Sequence, residues 1–249
     1  MGLVSTLLGE RIRAGKRYFY IISRGSKRIL KSGGMFSSSF GTIYSIMDTK
    51  SIFTNSYPDA FLPLPRLYAK PKVLVIGLGG GTIPYQLTKI YGDNISIDVA
   101  EIDEAMVRVS KRFLLGREQK WSIHVKDGLD FVEHSDCRYD IIILDAYNED
   151  VMPAEFISAA FVEAASKALT KEGILAINMT TGIPPEHYGK LISVRFDVSV
   201  YPSEAGNSFI LGSKHFKLDE IKAVAKRLSA QKGSDYLTKV YGGTHSLLK

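Results

Sequence analysis

The stretch Lys72-Val73-Leu74-Val75-Ile76-Gly77-Leu78-Gly79-Gly80-Gly81-Thr82-Ile83-Pro84 decides the fold. Val73 to Ile76 is an unbroken aliphatic run, as in a strand buried on both faces. Four glycines within the next five positions end it. Ile83, Leu87 and Ile90 then recur at helical spacing. Pro84 falls in the first helical turn, where a missing N–H costs little, and Gly92 stops the helix. A strand, a glycine turn and a helix N-terminus together let backbone N–H groups come close to a ligand. This is the pattern of a nucleotide-binding turn.

Downstream of Pro71, strands and helices alternate, which predicts an α/β domain with a mostly parallel sheet. Strands are expected at Ile95–Ala100, Ser122–Val125, Asp140–Leu144 and Ile174–Asn178. Asp103 can cap a helix carrying Val107 and Phe113. A helix is expected from about Pro153 to Leu169, and a loop over Thr180–His187. Val194–Tyr201 and Phe209–Gly212 are too close in sequence for a parallel crossover, so they must form an antiparallel hairpin. Leu218, Ile221, Ala225 and Leu228 predict a closing helix.

Upstream, residues 1 to about 15 read as an arm or short helix. Short strands follow at Tyr18–Ile22, Arg28–Leu30, Met35–Ser39 and Gly41–Met47. This small antiparallel unit has no core of its own and must lean on the larger domain. Pro58, Pro63 and Pro65 mark the junction, so the expected division is 1–59 and 60–249.

The chain has 249 residues, is 45% hydrophobic and 23% charged, and carries one cysteine, Cys137. The single cysteine excludes an internal disulfide and a cysteine-based zinc cluster. The five histidines are scattered, so no metal site is expected. No apolar run reaches the roughly 18 residues of a membrane span. A soluble, cytoplasmic protein with no membrane contact is the expectation. The net charge of +6 arises from the first 31 residues, where eight Lys and Arg face only Glu10. A basic face can attract nucleic acid, but a solvated face of the β unit is the preferred reading. Association of two copies into a homodimer is left open.

Four sites fall at carboxyl ends of successive strands: the glycine turn, Glu101, Asp127-Gly128 and Asp145. Ligands bind along that edge of an open α/β sheet. Glu101 lies about twenty residues past the glycines, where a carboxylate can accept both ribose hydroxyls. Asp127 could accept from an adenine amino group, leaving Asp145 near the rest of the ligand. A dinucleotide would want its third glycine at Thr82, and it leaves Asp127 unexplained. An adenosyl ligand without pyrophosphate fits better.

Gly77 to Gly81, Val99-Ala100-Glu101-Ile102-Asp103, Asp127-Gly128 and Tyr139 to Asp145 resemble the class I S-adenosylmethionine-dependent methyltransferase fold, and within it the spermidine synthase branch. Pro153-Ala154-Glu155-Phe156, Asn178 and Tyr201-Pro202 extend the resemblance over most of the chain. It implies a Rossmann-like sheet of seven strands, the last antiparallel, behind the small β domain. It also implies that Gly77, Gly79, Gly81, Glu101, Asp127, Gly128 and Asp145 bind S-adenosylmethionine or its decarboxylated form.

The chain departs from the aminopropyltransferase pattern in three places. Gly80 stands where that branch has an acid in the turn. Asn148 stands where it has a second acid three residues after Asp145, and an amide is no general base. Ser45 to Tyr57 shows nothing like its Tyr-His-Glu motif. Asp145, Asn148 and Asp150 are the expected catalytic positions, with Glu149 or Asp150 as a substitute base. Without an acid at position 80, N–H groups of the turn are expected to accept the carboxylate of intact S-adenosylmethionine. The preferred reading is therefore a methyltransferase with an unknown small-molecule acceptor. A polyamine aminopropyltransferase is second, and an inactive ligand-binding scaffold third.

Overall fold

Alternation of charged with apolar residues makes four strands among the described residues before Thr49. The computed structural model describes residues 9–14, 17–32, 42–117, 119–136, 138–148, 151–179, 184–201, 207–232 and 235–247. The expected strand Met35–Ser39 and the candidate Asp150, with Glu149, lie outside these residues. Strands β1 (Glu10–Ala14), β2 (Arg17–Arg24), β3 (Lys27–Ser32) and β4 (Ile43–Asp48) form an antiparallel sheet in that order. In place of the expected arm or short helix, β1 pairs Arg11, Ile12 and Arg13 with Tyr20, Phe19 and Tyr18. Its period-two pattern finds a partner strand, and pairing outweighs local helix preference.

The larger part alternates as expected. Two short 3-10 helices, Tyr57–Phe61 and Leu64–Leu67, lead into β5 (Lys72–Ile76) and α1 (Thr82–Tyr91). Next come β6 (Ser96–Glu101), α2 (Glu104–Phe113), β7 (Ser122–Val125), α3 (Gly128–Glu133) and β8 (Tyr139–Leu144). The expected helix from Pro153 is divided. A 3-10 turn, Ala154–Phe156, precedes α4 (Ala159–Ala168), which starts where Ser158 Oγ accepts the Phe161 N–H at 3.1 Å. After β9 (Leu169–Met179), part of the expected loop is α5 (Pro185–Ile192). Its proline stands in the first turn, where proline starts a helix rather than breaking one. The hairpin β10 (Asp197–Tyr201) and β11 (Ser208–Ser213) follows, then α6 (Leu218–Lys232), α7 (Asp235–Gly243) and β12 (His245–Ser246).

Among the described residues the large sheet has eight strands, ordered β12-β10-β11-β9-β8-β5-β6-β7. The seven expected strands are there, with β11 antiparallel between β9 and β10. The eighth, β12, pairs antiparallel with β10 through Ser199 and Ser246. Its two residues are too few to show an alternation in sequence. The order reverses at β5, which is flanked by β6 and β8, and such a switch point opens a crevice at the carboxyl edge. On β5, Val73 and Val75 pack into one core, while Leu74 and Ile76 pack into the other. Each such buried side chain contributes about 1.5–3 kcal/mol. Among the described residues no helix is long and apolar enough to cross a membrane.

The small sheet lacks a core of its own. Its inward Phe19, Ile21, Leu30 and Met47 pack on Tyr85 of α1 and on Met106, Val109 and Phe113 of α2. Its charges hold α2 at both ends. Arg17 pairs with Asp103, the residue that caps α2 by accepting the Ala105 N–H. At the other end Arg28 donates to the carbonyls of Phe113 (3.1 Å) and Arg112 (3.3 Å). These are orphan acceptors at the negative end of the helix, which a cation satisfies. Arg112 in turn reaches Glu10 at 2.7 Å.

Candidate active site

Strand register places the candidate residues in one row. Ile76 lies opposite Ala100 and Leu144, and Leu144 lies opposite Ile177. The next residues, Gly77, Glu101, Asp145 and Asn178, therefore stand side by side where the strands end. Gly77 adopts φ +93°, and a Cβ there would lie 2.3 Å from the Asp145 carbonyl oxygen. Only glycine combines that conformation with that approach. Gly128 is required in a different way, since a Cβ would lie 2.4 Å from Ile76 Cγ2.

The row opens into a cavity of about 490 Å³, within the range of small-molecule sites. Gly77, Gly79, Glu101, Asp127, Gly128, Asp145 and Asn148 all line it. Gly81 does not. Its φ of +80° serves the start of α1, and its Cα faces Leu114 and Leu78. Asn148 is held through its backbone, which exchanges hydrogen bonds with Val151 at 2.9 and 3.1 Å.

The carboxylates are held differently. Glu101 accepts the Leu78 N–H at 2.9 Å on one oxygen and the Asp103 N–H at 2.8 Å on the other. Burial pushes its pKa up, and these two N–H groups oppose the rise. Asp127 caps α3 through the Asp130 N–H at 2.9 Å. Asp145 receives side-chain donors: Asn178 Nδ2 at 2.7 Å and the Tyr57 hydroxyl at 3.2 Å. Burial of its carboxyl outweighs both and raises its pKa to about 7, so this group can exchange a proton near neutrality.

The glycine turn offers a carboxylate fewer donors than expected. Four of its N–H groups are engaged within the protein. Gly77 donates to Ala100 O (2.8 Å), Leu78 to Glu101, Gly80 to Ser45 Oγ (2.7 Å) and Gly81 to Leu78 O (2.8 Å). Gly80 also has no room for a side chain. A Cβ would stand 2.6 Å from Phe113 Cδ1 and 2.7 Å from Ser45 Cβ.

Sequence reasoning missed Tyr57 and Ser45, which come from the very segment that shows nothing like the Tyr-His-Glu motif. Asp59, fully buried, fixes that segment by accepting from Thr54, from the Asn55 N–H and from Gln86 of α1. An acid two residues beyond a tyrosine and bracketed by prolines was the available signal. Asn178 and Asn207 were missed as a pair. Asn207 Nδ2 donates to Asn178 Oδ1 at 2.8 Å, and the Tyr147 hydroxyl donates to the Asn178 carbonyl.

The chain is similar in sequence and in fold to known proteins. The chain is 27% identical over 167 residues to the polyamine aminopropyltransferase of Vibrio vulnificus, covering 62% of this chain and 55% of that protein. It is 29% identical over 136 residues to the eEF1A lysine and N-terminal methyltransferase of Homo sapiens, covering 49% of this chain and 18% of that protein. The chain thus spans about half the length, or less, of these relatives. Spermidine synthase from Thermotoga maritima has the same fold, with a TM-score of 0.62 at 18% identity over 84% of this chain and 73% of that one. The architecture is the Rossmann-like sheet of class I methyltransferases. The model of the spermine/spermidine synthase domain matches residues 60–198, more than half of the sequence and the whole of the row from Gly77 to Asn178. The chain belongs to the spermine/spermidine synthase family.

Proposed function

We propose that this protein is a transferase that takes decarboxylated S-adenosylmethionine and passes its aminopropyl group to an amine. The charge of the cavity carries this reading. Among the described lining residues stand five carboxylates, Glu101, Asp103, Asp127, Asp145 and Glu155, and one guanidinium, Arg17, already paired with Asp103. Such a cavity suits a cationic donor and an amine acceptor. Intact S-adenosylmethionine would add a carboxylate, and like charges about 4 Å apart repel by about 4 kcal/mol at an effective dielectric of about 20. The N–H groups of Gly77, Leu78, Gly80 and Gly81 are engaged elsewhere and do not offset that repulsion. This favours the decarboxylated donor over the preference drawn from the sequence.

Glu101 would accept the ribose hydroxyls, and Asp127 the adenine amino group. Gly77, Gly79 and Gly128 let the backbone lie against the nucleoside. The bound donor supplies a carbon made electrophilic by the neighbouring sulfonium. Asp145 takes the proton that the acceptor nitrogen releases as it bonds that carbon, while the carbon–sulfur electron pair returns to sulfur. Asn148 can orient the amine but cannot take its proton.

Methyl transfer is the second reading, favoured by the uncharged Gly80 and Asn148. Calorimetric titration with the two donors, followed by mass spectrometry of a reaction with putrescine, separates the two. Tighter binding of the decarboxylated donor and a product heavier by one aminopropyl group are expected. Tighter binding of intact S-adenosylmethionine would overturn the proposal in favour of methyl transfer. Donor binding without turnover on any amine would leave a ligand-binding scaffold.

A further inference from the structure

Asn178 is a carboxamide with only 3% of its surface exposed, and its two ends do opposite things. Its Nδ2 donates to Asp145 Oδ1 at 2.7 Å, and its Oδ1 accepts from Asn207 Nδ2 at 2.8 Å. Turned over by 180°, the same amide would aim its oxygen at the carboxylate and its N–H at Asn207. A carboxamide is nearly symmetric in shape, so its partners decide which way it faces. Asp145 cannot decide alone, because its protonated form could donate to an amide oxygen. The second partner is Asn207, on the connection that enters β11.

We propose that Asn207 is a positioning residue that acts through Asn178: by donating to the Asn178 oxygen it keeps the Asn178 N–H2 group facing Asp145, and so favours the charged carboxylate. The Asn178 carbonyl is separately held by the Tyr147 hydroxyl, which fixes the backbone of this residue but not the orientation of its amide. The other groups around Asp145 cannot replace this control. Tyr57 donates to its second oxygen, and Tyr147 and Tyr236 stand beside Tyr57. Burial and the neighbouring carboxylate drive the Tyr57 hydroxyl well above its ordinary range, so it stays neutral. The Asn178 amide is therefore the partner of Asp145 whose polarity can be reversed without moving a charge or a backbone atom.

The role as a proton acceptor rests on the proposed transferase reading; the orientation of the amide does not. The test is therefore a direct titration of Asp145. Protein labelled with ¹³C at aspartate carboxyls is followed by NMR from pH 4 to 9, with the Asp145 signal identified by its loss in Asp145→Asn. Asn207→Ala removes the constraint and should raise the Asp145 pKa by about half a unit or more. Asn207→Asp keeps the shape but can only accept, so it turns the amide and should raise the pKa further. Asn207→Gln, which retains a donor, should restore the wild-type value. Asn207→Asp keeps the side-chain volume, so a folded protein is available even if the alanine variant is unstable. An Asp145 titration unchanged in both the alanine and aspartate variants would overturn the proposal. If the titration shifts as expected, the acid limb of the pH–rate profile should move by the same amount. A shifted titration in a protein that transfers nothing to any amine would keep the positioning role and discard the transferase reading.

Discussion

Glu101 and Asp145 stand on either side of the glycine turn, at the carboxyl ends of β6 and β8. Both are acids, both face one cavity, and burial raises the pKa of each. Their supports differ. Glu101 is held by two backbone N–H groups, which come with the fold and cannot be removed by exchanging a side chain. Asp145 is held by an amide and a phenol from distant segments. A backbone-held acid suits a constant task such as gripping a nucleoside. A side-chain-held acid can be tuned to a task that varies, such as accepting a proton. The molecule thus separates a fixed recognition group from an adjustable reactive one within a single row of residues.

The largest effect that tests this contrast concerns stability at Asp145. In the unfolded chain an aspartate titrates near 3.9, and in the fold this one titrates near 7. The folded state therefore holds the proton more tightly. Its stabilising effect is complete below about pH 4 and is lost as the pH rises to about 7. Roughly three units at about 1.4 kcal/mol each set a ceiling near 4 kcal/mol, and contact with cavity water lowers that to about 2. Asp145→Asn keeps acceptor and donor positions but cannot ionise. Urea denaturation should find the variant about equal to wild type at pH 4 and more stable by roughly 2 kcal/mol at pH 8. A difference independent of pH would show that Asp145 is not the tuned group.

Next in size is the fixed end. Glu101→Ala removes the charged acceptor that the ribose would meet, worth about 1.5–3 kcal/mol. Calorimetry should show at least tenfold weaker binding of S-adenosylhomocysteine, with little dependence on pH between 6 and 8. Binding that varies with pH as steeply as Asp145 titrates would erase the distinction between the two acids.

The smallest effect belongs to Arg17. Its pair with Asp103 is half exposed, and such pairs contribute about 0.2–1 kcal/mol. Arg17→Ala should lower thermal stability slightly, less so in high salt, and leave donor affinity within about twofold because Glu101 and Asp103 are set by backbone contacts and a helix cap. A tenfold loss of affinity would mean that the nucleoside end depends on the small sheet and is not fixed by the backbone alone.

The acids of the row were legible, and the side chains that tune one of them were not. Glu101, Asp127 and Asp145 could be read because each directly follows its own apolar strand, and parallel register brings such residues together. Asp103 could be read as a cap from the helical pattern behind it. The partners of Asp145 could not be read. Tyr57 reaches it across 88 positions and Asn178 across 33, and neither sits in a pattern that announces a contact. Gly81, counted with the ligand glycines, shares their motif but turns its back on the cavity to start α1. Helix α5 was concealed by Pro184-Pro185, which suggested a loop when they mark a helix start. The charges of β2 and β3 suggested an open basic face, yet Arg17 and Arg28 reach the two ends of α2.

The crowding at Gly80 bears on how this sequence can change over generations. An acid at that position meets the ring of Phe113, fully buried at the end of α2, and the Cβ of Ser45 on β4. Gly80→Asp alone overfills a packed site, a cost of typically 1–3 kcal/mol. Relief requires a smaller residue in the helix, a smaller one in the strand, or both. Three segments far apart in sequence are thus tied to one choice of turn. A lineage carrying Ser45 and Phe113 meets that cost on acquiring a turn acid, and a lineage that has the acid meets it on acquiring this pair.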